Sequence, residues 1–242
     1  MEKIELKHCM DLDANDPLRE LCSEFLLAET GSIHFDANSM GAMPKTVPEK
    51  VAWMLNEGWR NLGRQGWSKL DWIDQPKKLG NGIAHLLGAQ PEDVVVCDNT
   101  SINLHKLISY AWGIKNSGNV LLTESNHFPT DVYIAEGWIK SLKNYGVDAE
   151  IRFADSHEQL LDCLDENVAV VNVSYVDYRT SLRWDMGRLM QKAQEVGALV
   201  VWDLSHAAGA VEIDLMGNDA DFAVGCGYKY LCGGPGAPAY LF

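Results

Sequence analysis

The sequence predicts an α/β fold in which helices cover both faces of a mostly parallel sheet. From residue 94 onward, short runs rich in valine and leucine alternate with amphipathic segments of helical length. This alternation is typical of a parallel sheet that is buried on both faces. The chain has 242 residues, 47% of them hydrophobic, so it can bury a substantial core as one large domain with an arm.

The first third of the chain predicts an arm and two helices before the alternating region. Residues 1–34 are interpreted as an N-terminal arm with an amphipathic helix at residues 18–27. A strand beginning at Ile33 is expected to run into a loop. Helical spacing follows at residues 48–59, then a loop rich in glycine and tryptophan at 61–74, then a helix at 75–87 that Gly88 ends.

The alternating region predicts six strands and the helices between them. Valine-rich and other apolar runs predict strands at residues 94–97, 120–123, 149–153, 168–173, 198–202 and 222–224. Amphipathic segments predict helices at residues 102–112, 132–144, 158–164 and 186–196. No linker composition divides this region, so we expect one domain.

Composition and charge exclude several classes of function. The net charge is −14 and no basic patch is present, so nucleic acid and anionic membranes are poor partners. The start lacks a basic-then-apolar signal pattern, and no apolar run approaches the roughly 20 residues of a membrane span. Six scattered cysteines without a Cys-x-x-Cys pair favour reduced thiols in a cytoplasmic protein and disfavour a metal site.

Polar side chains follow the predicted strands, where open parallel sheets bind ligands. Thr100 and Ser101 follow the first of these strands and begin a helix. Free N–H groups and the helix dipole make such a terminus a phosphate site, although ordinary capping explains the same residues. Phe128, Thr130 and Asp131 follow the next strand. Phe128 either stacks on an aromatic ligand or belongs to the core. Thr130 and Asp131 either contact that ligand or cap the following helix.

The later strands end in a hydroxyl, a carboxylate and an amine. Ser174 follows one strand, and Asp203 with His206 follows the next. A carboxylate at the rim of a buried sheet is costly unless it meets a cation such as a protonated pyridine. Tyr228 and Lys229 lie in a glycine-rich stretch after the last predicted strand. Such a lysine suits Schiff-base chemistry, and the alternative is a surface lysine on a loop.

These parts in this order favour a pyridoxal 5′-phosphate site. That cofactor needs a lysine for its Schiff base and an acidic or arginine partner for its pyridinium nitrogen. A nicotinamide site is disfavoured because no Gly-x-Gly-x-x-Gly follows an early strand, and no phosphate loop of the Gly-x-x-x-x-Gly-Lys-Ser/Thr type is present.

The motifs resemble the kynureninase family, pyridoxal phosphate enzymes of fold type I. The resemblance runs from Phe35 to the last residue. It is carried by Phe35-Asp-Ala-Asn-Ser-Met-Gly41, Asp98-Asn-Thr-Ser-Ile-Asn-Leu104, Asn126-His-Phe-Pro-Thr-Asp-Val-Tyr-Ile-Ala-Glu-Gly137, Tyr178-Arg-Thr180, Trp202-Asp-Leu-Ser-His-Ala-Ala-Gly209 and Ala223-Val-Gly-Cys-Gly-Tyr-Lys-Tyr-Leu231. It implies that residues 35–242 form the cofactor-binding large domain of that fold type.

The resemblance also implies roles for individual residues. Lys229 would carry the cofactor and act with Tyr228 and Asp203 in catalysis, and Asp203 would hold the pyridine nitrogen. The remaining cofactor contacts would come from Thr100, Ser101, Phe128, Thr130, Asp131, Ser174, His206 and Tyr228. Asn38 and Ser39 would lie near the substrate, although plain turn chemistry explains them equally well.

The implied reaction is hydrolysis of L-kynurenine, or its 3-hydroxy form, to an anthranilate and L-alanine. The family implies a homodimer, with the tryptophan-rich segment 53–72 as part of the contact, and a further C-terminal domain that this sequence does not reach. We therefore expect the 242 residues alone to be weakly active. The alternatives are a class V aminotransferase, a desulfurase-like enzyme, or a non-catalytic relative.

Overall fold

A seven-stranded sheet forms the centre of the computed structural model, which describes residues 4–29, 31, 33–115 and 118–242. The predicted arm includes residues 1–3, 30 and 32, which lie outside the described part. A separate two-stranded ribbon joins Phe25–Leu26 (β1) to Met43–Pro44 (β2). The strands of the main sheet are Val95–Cys97 (β3), Val120–Glu124 (β4), Glu150–Ala154 (β5), Val168–Ser174 (β6), Leu199–Asp203 (β7), Phe222–Gly225 (β8) and Ala239–Leu241 (β9).

The strands lie in the order β3-β9-β8-β7-β6-β4-β5. Strands β5, β4, β6, β7 and β8 are parallel neighbours, whereas β9 is antiparallel to both β8 and β3. The predicted mostly parallel sheet is therefore confirmed. Strand β9 was not predicted from the sequence, because its three residues follow a stretch of glycine and proline that favours turns.

Helices cover both faces of the sheet, as predicted. Thr100–Ile114 (α5) and Pro129–Asn144 (α6) pack on one face, where Leu104, Ile108 and Ile139 enter a shared core. The opposite face is covered by Gln75–Leu86 (α4), His157–Asp162 (α7) and Met186–Val196 (α8). Every residue of β6 is buried, because this central strand lies between the two helical layers.

The arm differs from its prediction. Its helix spans Leu6–Asn15 (α1) rather than residues 18–27, where a 3₁₀ helix at Arg19–Glu24 leads into β1. Leu18 and Leu21, which were expected to form an apolar face, are exposed. A short helix without a packed face is only marginally stable, so helical spacing alone did not determine the structure here.

The expected strand at Ile33 is also wrong. Ile33 and Phe35 are 80% and 87% exposed, and residues 33–36 have no strand pairing and lead into a turn at 37–39 before β2. A short apolar run forms a strand only when a sheet edge is available to pair with it. Here the pairing with β1 begins at Met43.

A tryptophan-rich face follows the ribbon. Val47–Trp53 (α2) continues as a π-helical segment at Met54–Leu62, and Gly66–Lys69 (α3) is a short helix within the stretch expected to be a loop. The predicted apolar side of this helix is exposed rather than buried. The tryptophan-rich face consists of Val51, Trp53, Met54, Leu55, Trp59 and Trp67.

Within the described ranges, we find no helix with the length and apolar character needed to cross a membrane.

Candidate active site

A cleft of about 330 Å³ opens beyond the ends of β3, β4 and β7, at the starts of α5 and α6. Most of the predicted site residues line it, together with three that the sequence analysis did not select. The lining residues are Asn99, Thr100, Ser101, Ile102, Phe128, Thr130, Asp131, Asp203, Ser205, Tyr228 and Lys229. Four separate segments of the chain thus meet in one place, as expected for residues that follow the ends of parallel strands.

One end of the cleft is the N-terminus of α5. Asn99 caps this helix, because its side-chain oxygen accepts the backbone N–H of Ile102 at 3.0 Å. Thr100 and Ser101 are the first two residues of the helix and are not its cap. Their hydroxyls and the free N–H groups of the first turn are therefore available to a ligand. This arrangement, with the helix dipole behind it, suits an anion.

Lys229 lies in the loop between β8 and β9, where its side chain is buried. Its Nζ is 2.9 Å from His206 Nε2 and 5.5 Å from the centre of the Phe128 ring. Burial, and secondly the charge of Lys229, lower the pKa of His206, so its neutral ring can accept a hydrogen bond from the amine. The surface-lysine alternative is excluded by the 7% exposure of Lys229.

Gly41 holds the lysine loop in place from the opposite side. Its N–H donates to the carbonyl of Tyr228 at 2.9 Å. A Cβ atom at this position would lie 2.1 Å from the carbonyl oxygen of Lys229, so only glycine allows this close approach. Asn38 and Ser39, which precede it, are exposed and do not line the cleft.

The carboxyl group of Asp203 ends β7 at the inner side of the cleft. Its Oδ1 accepts the backbone N–H of Ser205 at 2.9 Å, and its Oδ2 lies 3.4 Å from Ser174 Oγ. Asp203 is only 4% exposed. One backbone donor and one long contact offset only part of the free-energy cost of burying the Asp203 carboxylate. The carboxylate is therefore suited to a cationic partner.

Phe128 and Asp131 come from the start of α6. The Phe128 ring contacts Tyr178 edge-on at 5.1 Å and lies 6.3 Å from the ring of His206. No side-chain cap is observed at this helix start, so Asp131 is not the cap that the alternative reading required. Burial, and then the nearby Asp203, raise the pKa of Asp131 well above its ordinary value.

Two predicted residues contact the lining without forming it. Ser174 lies behind Asp203, and His206 lies behind Lys229. No role was predicted from the sequence for Asn99, Ser205 or the buried His127, which contacts Ser174. Asn99 carries a readable signal, since an asparagine between a strand and a helix is a common N-cap. Ser205 and His127 carry none, because only the fold brings them to the site.

The residues present fit pyridoxal 5′-phosphate. The cleft combines an amine, a buried carboxylate lacking a cation, an aromatic ring, and hydroxyls at a helix N-terminus. These are the groups that this cofactor requires for its aldehyde, pyridine nitrogen, ring and phosphate. Fold and site together define a pyridoxal-phosphate-dependent protein of fold type I.

The chain belongs to the aminotransferase class-V family, which it matches over residues 33–239. Because this family depends on pyridoxal 5′-phosphate, the predicted cofactor is confirmed at the level of the family. The resemblance found in the sequence is also confirmed. The chain is 42% identical to a kynureninase of Pseudomonas fluorescens over 97% of its length and 39% identical to one of Burkholderia mallei over 98%.

The chain spans about half the length of the curated relatives it matches, 56% and 57% of these two. Among solved structures, it is similar to a cysteine desulfurase of Escherichia coli with a TM-score of 0.74 and 16% identity, covering 92% of this chain and 57% of that one. A cysteine desulfurase of Thermococcus onnurineus gives a TM-score of 0.68 at 19% identity, covering 100% and 58%. At these identities the likeness establishes the fold alone.

Proposed function

We propose that this chain is the cofactor-binding part of a kynureninase. The reaction is hydrolysis of the Cβ–Cγ bond of L-kynurenine, or of 3-hydroxykynurenine, to anthranilate, or 3-hydroxyanthranilate, and L-alanine. The observation that carries the proposal is the 39–42% identity to proteins of that name over nearly the whole chain. The reaction would belong to tryptophan catabolism and supply the route to NAD.

The cofactor contacts are assigned from the cleft. Lys229 would hold the aldehyde end of pyridoxal phosphate, Asp203 would pair with the pyridine nitrogen, and Phe128 would lie against the ring. Phosphate binding falls to Thr100, Ser101 and Tyr228, and the remaining contacts fall to Thr130, Asp131, Ser174 and His206. The supporting facts are the shared cleft and the two contacts behind it.

Bound pyridoxal phosphate supplies an electron sink for the negative charge that develops at the substrate Cα. The protein supplies the proton transfers and the electrostatic environment. The amine of Lys229 is the base for the Cα proton, and neutral His206, 2.9 Å away, can accept a hydrogen bond from the protonated amine. The Asp203 carboxylate favours a proton on the pyridine nitrogen.

Tyr228 is the proposed acid for the later proton transfers. Burial, followed by the nearby Cys226, raises the pKa of the Tyr228 phenol, which keeps it protonated near neutral pH. Its ring lies 5.8 Å from Lys229 Nζ, so the two groups face the same part of the cleft. One water is consumed, and its oxygen ends in the carboxylate of the anthranilate product.

The assembly is proposed to be a cytoplasmic homodimer, with the tryptophan-rich face as part of its contact. Residues 35–242 are proposed to be one cofactor-binding domain, preceded by an arm at residues 1–34. The length of the relatives that this chain does not span is proposed to supply further cofactor and substrate contacts. Asn38 and Ser39, which lie outside the lining of the cleft, remain candidates for contact with the substrate.

The test combines a spectrum with an assay. The 242 residues are purified, mixed with pyridoxal phosphate, and examined for a protein-bound visible absorbance band. Turnover of kynurenine is then measured with and without the remaining region of a full-length relative added in trans. We expect a visible band, weak kynurenine turnover by the 242 residues alone, and higher turnover when the remaining region is added. The reason is that substrate orientation contributes roughly 7–11 kcal/mol to such activation barriers, and the added region would supply contacts that orient the substrate.

Two results would count against the proposal. Absence of the visible band would remove the cofactor assignment. A band without kynurenine turnover in either mixture, but with turnover of cysteine or of an amino donor, would favour a desulfurase or an aminotransferase.

A further inference from the structure

A buried histidine connects the two carboxyl groups of the cleft. His127 Nδ1 lies 3.2 Å from Ser174 Oγ, and that hydroxyl lies 3.4 Å from Asp203 Oδ2. On the other side of the ring, His127 Nε2 lies 3.6 Å from Asp131 Oδ2. A continuous row of side chains therefore runs from Asp203 through Ser174 and His127 to Asp131.

The backbone determines which nitrogen of His127 carries the proton. The N–H of Phe128 points at Nδ1 from 2.8 Å, so Nδ1 must be an acceptor. The proton of the ring then lies on Nε2, on the side of Asp131. A doubly protonated ring would place a second N–H against that of Phe128 in a fully buried position, where such repulsion is costly.

The groups around His127 come from three elements. Asp131 faces it from α6, Asp203 from the end of β7, and Asn172 with Asp177 from β6 and the loop after it. Burial lowers the pKa of His127 despite these carboxylates, which agrees with the neutral ring that the backbone requires. Lys229 is the nearby cation, and it acts on Asp131.

Two buried polar atoms in this row lack hydrogen-bond partners, and such atoms often mark a functional site. Among the described residues, neither His127 Nε2 nor Asp131 Oδ2 has a partner within hydrogen-bonding distance, although both are buried. They face each other across 3.6 Å. A small movement of Asp131 would bring them together, and Asp131 lines the cleft.

We propose that His127 is a positioning residue for cofactor binding. Its Nδ1 holds Ser174, whose single hydroxyl proton goes either to Nδ1 or to Asp203, and its Nε2–H faces Asp131 at 3.6 Å. This inference rests on the proposed function, because it concerns how the cofactor site is kept in shape. His127 touches neither the cleft nor the reacting atoms, and it acts only through Ser174 and Asp131. One row of side chains thus sets the orientation of both acids in the site.

Three substitutions separate the two contacts. His127→Phe removes both, His127→Asn keeps an acceptor near the Nδ1 position, and His127→Gln keeps a donor near the Nε2 position. The exposed His105→Phe on α5 is the matched control. The probe is pyridoxal phosphate, and the readouts are its dissociation constant and the pH midpoint of its visible band, with circular dichroism to confirm folding.

We expect His127→Phe to weaken cofactor binding about tenfold or more and to shift the pH midpoint, because it leaves buried polar groups without partners. His127→Asn and His127→Gln should each recover part of the loss, and His105→Phe should match the wild type. Wild-type affinity and an unchanged pH midpoint in His127→Phe would show that the ring only fills space. If His127→Phe does not fold, the Asn and Gln variants decide in the same way.

A measurement on the unmodified chain is independent of any variant. Nitrogen-15 NMR of labelled histidines should show His127 as the neutral, Nε2-protonated tautomer across the range of pH in which the chain is folded. A ring protonated on Nδ1, or one that titrates near pH 6.5, would overturn the proposal. If the wild type binds no pyridoxal phosphate, the proposed function fails, whereas the tautomer still reports on His127 itself.

Discussion

At the scale of single residues, the site depends on buried charge. Lys229 and Asp203 are each less than a tenth exposed, and they lie on neighbouring parallel strands or just beyond them. Burial of ionisable groups is costly and is maintained where a partner or a ligand compensates it. Substitutions at these two positions should therefore affect the cofactor more than the fold.

The first prediction concerns Lys229→Ala. The variant should lose the visible band of protein-bound pyridoxal phosphate and should not be trapped by borohydride, because no other lysine lines the cleft as described. Lys140→Ala, an exposed lysine on α6, is the control and should keep both signals. A band that persists in Lys229→Ala would show that the cofactor is attached elsewhere.

The second prediction concerns Asp203→Asn. The amide can still accept the N–H of Ser205, so the melting temperature should change little. It cannot hold a proton on the pyridine nitrogen as a carboxylate does, and kynurenine turnover should fall on the order of 10²-fold or more relative to wild type in the same assay. Near-wild-type turnover at full cofactor occupancy would make Asp203 a structural residue.

At the scale of elements, close packing of helix on strand sets the geometry of the sheet edge. Gly80 in α4 faces β3, and a Cβ atom there would lie 2.0 Å from the carbonyl oxygen of Val94. Because that atom belongs to the backbone, it cannot rotate away. The position of α4 against the edge strand thus depends on the absence of a side chain at one residue.

Gly80→Ala should lower the free energy of unfolding by about 1–3 kcal/mol, since the helix must move away from β3. Gly137→Ala in α6 is the matched control, because none of the described atoms approaches its Cβ position within 4 Å. That control should gain roughly 0.5–1 kcal/mol from helix propensity. Denaturant unfolding of both variants measures the difference. Equal effects at the two sites would contradict the packing argument.

The end of β4 carries a pH-dependent contact with two other elements. Glu124 lies 3.5 Å from His157 at the start of α7 and 3.4 Å from the indole nitrogen of Trp184, which precedes α8. Burial raises the pKa of Glu124 from 4.5 to about 7. Between these values the unfolded chain is ionised while the folded chain keeps its proton, so this group makes stability fall as the pH rises.

Glu124→Gln should therefore flatten the loss of melting temperature between pH 5 and 7. His157 acts in the opposite direction below pH 6.5, because burial lowers its folded pKa, so the two proteins must be compared at each pH. Glu136→Gln removes an exposed negative charge from α6 and serves as the control. If the melting temperatures of wild type and Glu124→Gln change with pH in parallel, Glu124 ionises as freely in the folded chain as in the unfolded chain.

Most elements that bury an apolar face were predicted correctly from the sequence, whereas some whose apolar residues are exposed were not. The strands β4 to β8 and the helices α5, α6 and α8 were predictable, because their apolar residues enter a core and keep their periodicity. Residues 18–24 and 33–35 have similar local patterns, but their large apolar side chains are exposed, and they adopt other structures. The cleft residues were predictable from strand ends, whereas His127 and Ser205 depend on contacts between distant segments.

At the scale of the whole molecule, the tryptophan-rich face is the exposed apolar surface to explain. Trp59 and Trp67 are 72% and 56% exposed, and with Trp72 they line a groove of about 430 Å³. Large exposed apolar patches mark interfaces in soluble proteins. A second copy of the chain is the partner proposed above.

Trp59→Ser should weaken the dimer by roughly 30-fold, the effect of removing one aromatic residue from the centre of an interface. Sedimentation velocity over a range of concentrations measures it. Tyr145→Ser, which removes an aromatic ring 87% exposed at the end of α6, is the control. A wild type that remains monomeric, or a Trp59→Ser dimer of unchanged strength, would place the contact on another surface.

The position of β9 has a consequence for synthesis on the ribosome. Among the described strands, β3 joins the sheet only through β9, which is translated about 140 residues later. At roughly 5–20 residues per second, a nascent chain spends on the order of ten seconds with β3 unpaired. Asn99, Thr100 and Ser101 directly follow β3, so we expect the strand pairing next to this end of the cleft to form only after residue 241 has been made. Cofactor capture is therefore a late event in the life of each newly made molecule.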